Sequence, residues 1–366
     1  MKQELPDPFR EFWSHLRNLL ECFGRIQDRL DPTRLVEYAD LLEVLARALQ
    51  SAQASSEFSP VFTSDPTGQI LLRAASQSLQ AASRFDSARG GSHEILKAFQ
   101  ALRSVARSQE ILYDLAGRFD DVSEFFLNPS RIGDTDLLAS LRETRAEPDE
   151  AGTGRPARGI LNFNNERGHR GGYSLYVPEY FTSEKKWPLV VALHGGSGHG
   201  GDFLWSWLRD ARSSGFILAS PTSLDRTWSL RSPGTDAASL NRMLENISQT
   251  YPIDTGRLLL TGISDGGTYA MLLSVVQQSP FTHYAPVAAA VHVLLNDQGS
   301  VVRPVDGLRI YQVHGARDWM FPVEHARRAA SALEKAGAKI VYHEIPDLSH
   351  NYPRDENERI IQWFLG

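Results

Sequence analysis

The segment Arg257–Tyr269 constrains the fold of this chain more than any other. An apolar run of strand length, Leu258-Leu259-Leu260, passes through Gly262-Ile263-Ser264-Asp265-Gly266 into Tyr269-Ala270-Met271-Leu272-Leu273, a run of helical composition. Gly262 to Gly266 fits G-x-S-x-G, a sharp strand-to-helix turn that lifts a serine hydroxyl clear of a sheet. The spacing has a steric cause. A serine with strained backbone needs neighbours without a Cβ two residues either side, because the chain folds back on itself there. The same letters could also be a glycine-rich surface turn. The strand before and the helix after favour the elbow, with Ser264 as nucleophile.

The rest of the chain from about residue 159 has a matching grammar. Tyr173–Val177, Leu189–Leu193, Phe216–Ser220, Leu258–Ile263, Val287–Leu295, Leu308–Val313 and Ile340–Ile345 read as short strands. Helical stretches Asp202–Arg212, Asp236–Thr250, Thr268–Gln278, Val323–Ala336 and Asp355–Leu365 lie between most of them. Strands alternating with helices predict an α/β fold, a mostly parallel sheet with its site at the carboxyl ends of the strands.

Residues 1 to about 146 differ. Leu16, Leu19, Phe23, Ile26 and Leu30 recur at helical spacing, as do Leu35, Tyr38, Leu42, Leu45 and Leu49. Asp7-Pro8, Asp31-Pro32 and Asp65-Pro66 each set an acid before a proline suited to a first helical turn. Further helices are expected over Gln69–Arg84, His93–Phe126 and Asp134–Arg145. The region reads as an all-helical bundle without chemistry of its own, a cap, an interaction domain or a homodimer interface. Glu147–Arg158, polar and rich in Gly and Pro, reads as a linker.

Composition excludes several classes. The 366 residues carry a net charge of -6, which argues against general nucleic-acid binding. Cys22 is the only cysteine, so no intrachain disulfide or cysteine-based metal site can form. Met1–Trp13 is too charged and proline-rich for a secretory signal, and no apolar run is long enough to span a membrane. The chain is expected to be soluble and cytoplasmic, with neither metal nor cofactor.

The groups that could serve Ser264 follow it in the order this fold requires, acid and then histidine. Asp318 lies in the loop after Leu308–Val313, whereas Asp306 precedes that strand and falls at the wrong end of the sheet. His350 lies after the final strand, whereas His343 is inside it. His314 and His194 end strands ahead of glycines, which suits loop geometry better than proton transfer. His292 is a strand histidine or lines a pocket. After Leu189–Leu193 comes His194-Gly195-Gly196-Ser197-Gly198-His199-Gly200-Gly201, a loop whose Gly196 amide, with that of Asp265, could hold an oxyanion. Gly196, Gly198 and Gly201 also spell G-x-G-x-x-G, the signature of dinucleotide binding, but no acid is well placed for a ribose. Trp205, Trp207, Trp228, Trp319 and Met320 fall near these loops and either form an apolar pocket or pack in the core.

These residues carry a resemblance. Leu193-His194-Gly195-Gly196, Ile253-Asp254-Thr255-Gly256-Arg257, Gly262 to Gly267, His314-Gly315-Ala316-Arg317-Asp318 and Ser349-His350 resemble the α/β-hydrolase superfamily. Within it they are most similar to the phospholipase/carboxylesterase and polyhydroxybutyrate-depolymerase/feruloyl-esterase-like group. The resemblance implies a serine carboxylesterase working through an acyl-enzyme on a small-molecule ester, with no cofactor. The same triad would serve a peptidase or acyltransferase, and a helical interaction protein with a retired hydrolase domain is the non-enzymatic alternative. There is no sizeable insertion between Gly267 and Asp318 to make an internal cap.

Overall fold

A computed structural model describes residues 3–90, 94–143, 156–275, 279–291 and 305–366. They divide into two compact units, Met1–Ala146 and Glu147–Gly366.

The first unit is helical: α1 (Asp7–Asp28), α2 (Leu35–Ser56), α3 (Pro60–Ser64), α4 (Pro66–Asp86), α5 (Glu94–Ser104), α6 (Ala106–Ala116), α7 (Asp120–Phe125) and α8 (Thr135–Glu143). Helix α4 touches α1, α2, α3, α5 and α6, so the bundle is built around it. Its small residues Ala74, Ala75, Ser78 and Ala81 let neighbours approach closely, and all four are buried. The Ser78 hydroxyl donates to the Ala74 carbonyl and meets Ser108 Oγ at 2.9 Å. The apolar stripe of α1, Leu16 to Ile26, is buried as its spacing predicts. Asp31 and Asp65 accept from the amides of Thr33 and Thr67, capping the turns that follow them. Asp7 caps nothing. Pro6 holds the cap position, and Asp7 is instead the first helical residue, paired with Arg10 at 3.0 Å. Linker residues 147–155 and the helix limits at residues 91–93 and 144–146 lie outside the described residues.

The second unit holds a sheet of β1 (Gly159–Phe163), β2 (Tyr173–Val177), β3 (Trp187–Leu193), β4 (Ile217–Pro221), β5 (Ile253–Ile263), β6 (His283–Val287), β7 (Arg309–Gly315) and β8 (Lys339–Ile345). Their spatial order is β1-β2-β4-β3-β5-β6-β7-β8. Strand β2 is antiparallel to β1 and β4; the pairings from β4 through β8 are parallel. Helices α9 (Gly200–Phe203), α10 (Leu208–Ser214), α11 (Gly234–Thr250), α12 (Asp265–Ser274), α13 (Val323–Lys335) and α14 (Asn357–Leu365) complete it. Strands β2, β4 and β6 are buried at every position, so helices or loops cover both faces of the sheet there.

Three elements differ from the sequence expectation. The sixth strand is His283–Val287 and ends where Val287–Leu295 was expected to begin. Ala288 takes φ 46°, a left-handed conformation that stops the strand, and Pro286 disguises the true one. Residues 292–304, His292 among them, lie outside the described residues. The helix expected over Asp202–Arg212 is broken into α9, the 3-10 turn Leu204–Ser206 and α10, which stops at left-handed Gly215. Edge strand β1, half-exposed and without clear alternation, carried no readable signal.

His283 gives the domain a pH dependence. It packs edge-on to Trp363 and Phe364 and its Nε2 is 3.1 Å from Arg309 Nη1. Burial first, and the Arg309 charge second, push its pKa down to about 4 from 6.5. The neutral form is thus favoured in the folded state. Between pH 6.5 and 4 the unfolded chain binds the proton and the folded one does not, so stability is lost on acidification through that window. His283→Gln should shrink the fall in urea midpoint between pH 7 and pH 5. An unchanged fall would mean that His283 does not drive it.

Candidate active site

The elbow is where the sequence puts it. Ser264 sits between β5 and α12 at φ 54° and ψ -119°, a region that costs an L-residue roughly 1–3 kcal/mol and persists only where the surroundings enforce it. Its amide donates to the Val287 carbonyl and its carbonyl accepts from Thr268 N. The flanking glycines face more than the turn itself. A Cβ on Gly266 would lie 2.5 Å from the carbonyl oxygens of Leu193 and His194, and one on Gly262 would lie 2.8 Å from Leu193 O. The end of β3 therefore presses on the elbow from outside.

The structure brings Ser264, His350 and Asp318 together. His350 Nε2 is 3.0 Å from Ser264 Oγ, and His350 Nδ1 is 2.9 Å from Asp318 Oδ2 and 3.1 Å from Oδ1. A carboxylate only accepts, so Nδ1 carries the hydrogen and Nε2 presents its lone pair to the serine hydroxyl. Asp318 Oδ1 also accepts from the amides of Met320 at 2.9 Å and Phe321 at 2.7 Å. Burial would raise the Asp318 carboxyl, but the His350 contact, the Phe321 amide and His314 outweigh it, holding the pKa below the usual value. The group is an anion at neutral pH. Asp318 and His350 are both buried, with the Phe321 ring 5.2 Å from the His350 ring and perpendicular to it.

Gly315 allows this meeting. It ends β7, and a Cβ there would lie 2.2 Å from Leu348 O and 2.8 Å from Ser349 O, in the backbone that carries His350. Gly315→Ala is expected to cost more than about 3 kcal/mol, beyond ordinary overpacking, because no side chain can yield. Urea unfolding with activity measured alongside checks it, and a variant within 1 kcal/mol of wild type would show that the backbone relaxes.

The glycine loop after β3 is turned inward. The amides of Ser197, Gly198, Gly200 and Gly201 donate to Arg226 O, Gly195 O, Thr222 Oγ1 and His199 Nδ1. The helix that follows has four residues. Both features disfavour a pyrophosphate cradle, which needs outward amides at the head of a long helix. Gly196 lies beside Asp265, whose Oδ2 accepts from the Thr227 hydroxyl at 2.5 Å. Asp265 is the first residue of α12, so its N–H has no intrahelical acceptor. Among the described residues no group of His, Cys, Asp or Glu is placed to hold a metal.

The five apolar residues near these loops separate. Trp207 is fully buried against Phe216 and Tyr352, and Trp205 is buried as well. Trp228 stacks on Tyr269 at 5.4 Å and donates Nε1–H to His194 O. It also borders a cavity of about 450 Å³ formed by Phe163, Tyr173, Leu224, Arg242 and Asn246 among others, none of them in the Ser264–His350–Asp318 chain. Trp319 and Met320 are 47% and 44% exposed, and the Trp319 ring is 6.0 Å from that of His350. His314 is the group that sequence reasoning left aside. It lies 3.4 Å from Asp318 Oδ2, and its spacing of four residues before the acid was the available signal.

No family model matches the chain. It is 27% identical to the probable feruloyl esterase C of Aspergillus terreus over 53% of this chain and 71% of that protein. Feruloyl esterase C of Emericella nidulans is 25% identical over 42% of this chain and 56% of that one. The lysophospholipase-like protein 1 of Mus musculus is 25% identical over 48% of this chain and 85% of its own length. The strand order, with β2 alone reversed, and the serine elbow after β5 agree with these similarities. The chain's similarity thus lies with proteins named as feruloyl esterases and a lysophospholipase-like protein, and its sheet carries the serine elbow in the manner of an α/β-hydrolase fold.

Proposed function

We propose that the chain hydrolyses carboxylic esters through a covalent acyl-enzyme on Ser264. The observation that carries this reading is the continuous hydrogen-bonded chain from Ser264 Oγ through His350 to Asp318, set on a strained elbow. Ser264 Oγ attacks the acyl carbon while His350 Nε2 takes its proton, and the carbonyl electron pair moves onto oxygen. The amides of Asp265 and Gly196 are the groups assigned to that oxyanion. Collapse breaks the bond to the alcohol oxygen, which receives the proton from His350. Water then repeats the sequence on the acyl-enzyme and releases the acid. Asp318 stays ionised throughout and stabilises the imidazolium by charge.

Two of the relatives are named feruloyl esterases, which makes aromatic acyl esters one class for testing. Trp319, half-exposed with its ring 6.0 Å from that of His350, and half-exposed Met320 next to it in the chain offer apolar surface to such a group. A panel of p-nitrophenyl esters of graded acyl length, a methyl cinnamate and a matched p-nitroanilide decides the reaction class. Turnover of esters well ahead of the anilide is expected. Folded protein that turns over no ester, or prefers the amide, would overturn the proposal. Among the described residues no helix is long and apolar enough to cross a membrane.

A further inference from the structure

His314 ends β7 four residues before Asp318 and is 1% exposed. Its Nε2 lies 2.8 Å from the Phe321 carbonyl oxygen and 3.4 Å from Asp318 Oδ2. The Phe321 carbonyl can only accept, so the ring hydrogen is on Nε2 and Nδ1 is left with a lone pair. That Nδ1 is buried and has no hydrogen-bond partner among the described residues. An orphaned buried acceptor costs about 1–3 kcal/mol, which an apolar residue of similar size would avoid. Packing alone therefore gives no reason for histidine here.

What the Nε2–H holds is Phe321, and Phe321 touches both the acid and the base. Its amide donates to Asp318 Oδ1 at 2.7 Å, and its ring meets the His350 ring edge-to-face at 5.2 Å. The Phe321 backbone is thus fixed at its N–H by Asp318 and at its C=O by His314. The same N–H of His314 leans on the second carboxylate oxygen, the one closest to His350 Nδ1. Burial, the largest influence, keeps His314 neutral by lowering its pKa, so it works as an oriented dipole rather than an ion. The charged or titratable groups bearing on it are Asp318, His350 and Glu344.

We infer that His314 is a positioning residue for the reaction proposed above: through Phe321 it fixes the Asp318 carboxylate and the His350 ring relative to Ser264. The inference rests on that reading. Loss of the Nε2–H would free the Phe321 peptide and loosen both partners at once, and a misplacement of about 1 Å can slow a reaction roughly 100-fold.

The test is the second-order rate at which a fluorophosphonate–rhodamine probe labels Ser264, measured beside the thermal midpoint in wild type, His314→Leu and His314→Gln. His314→Leu is expected to label about 10- to 100-fold more slowly at a midpoint close to wild type, since removing the orphaned Nδ1 offsets the lost hydrogen bond to Phe321 O. His314→Gln, whose amide N–H can reach the same carbonyl, should recover most of the rate. Should His314→Leu fail to fold, His314→Asn replaces it. Its shorter amide ends near the position of Nδ1 and cannot reach Phe321 O, so slow labelling is again expected. Wild-type labelling in His314→Leu or His314→Asn overturns the inference, as does a loss that follows the unfolded fraction and is not recovered by Gln. A wild-type protein unlabelled at Ser264 would overturn the proposed function itself, which separates the two failures.

Discussion

Ser264→Ala is expected to lower kcat for a short-chain p-nitrophenyl ester by about 10⁴- to 10⁶-fold while leaving KM and the urea midpoint close to wild type. The size follows from the chemistry. Without Oγ no acyl-enzyme can form, and His350 has only water to activate. What remains is the rate supplied by binding and by the oxyanion amides. The fold should tolerate the change, because Ser264 is held by its backbone, with its amide on Val287 O and its carbonyl on Thr268 N. Alanine at φ 54° carries the same strain as serine. A drop of less than tenfold would remove Ser264 from the role of nucleophile.

Asp318→Asn should cost about 10³- to 10⁴-fold in kcat, less than removal of the serine but severe. The asparagine carbonyl can still accept from Met320 N and Phe321 N, so the turn that carries it should persist. The imidazole orientation is what fails. An amide group offers N–H as readily as oxygen to His350 Nδ1, which permits the tautomer with hydrogen on Nε2, and that tautomer cannot take the serine proton. Loss of the negative charge also removes the partner of the imidazolium. Steady-state kinetics with near-ultraviolet circular dichroism as a fold control checks this. A nearly wild-type enzyme would require another acid.

The legible parts of this chain were those fixed by short-range sterics or by strand ends. Gly262 and Gly266 announce the elbow, and β3, β5, β7 and β8 announce themselves as short runs rich in β-branched and aromatic residues or leucine, so His194, Ser264, Asp318 and His350 could be placed at the carboxyl ends of strands. The strand before Ala288 was misplaced because an alanine–valine run outscored one containing Pro286, and only the backbone conformation at Ala288 resolves it. Trp205 and Trp207 could not be separated from Trp319 by sequence, since burial against Phe216 and Tyr352 is a long-range property. For His314 the sequence offered only its spacing of four residues before the acid. Its partner is the carbonyl of Phe321, and which backbone group a loop turns inward is set by tertiary packing.

The central claim is that Ser264 is the activated nucleophile, and the most direct measurement is the site of covalent modification. Native protein treated with a fluorophosphonate, digested and sequenced by tandem mass spectrometry should carry the phosphonyl group on Ser264 and nowhere else. Urea-unfolded protein should carry none, because activation depends on the 3.0 Å contact with His350. Adduct on another residue, no adduct on the native protein, or equal labelling after unfolding would contradict it.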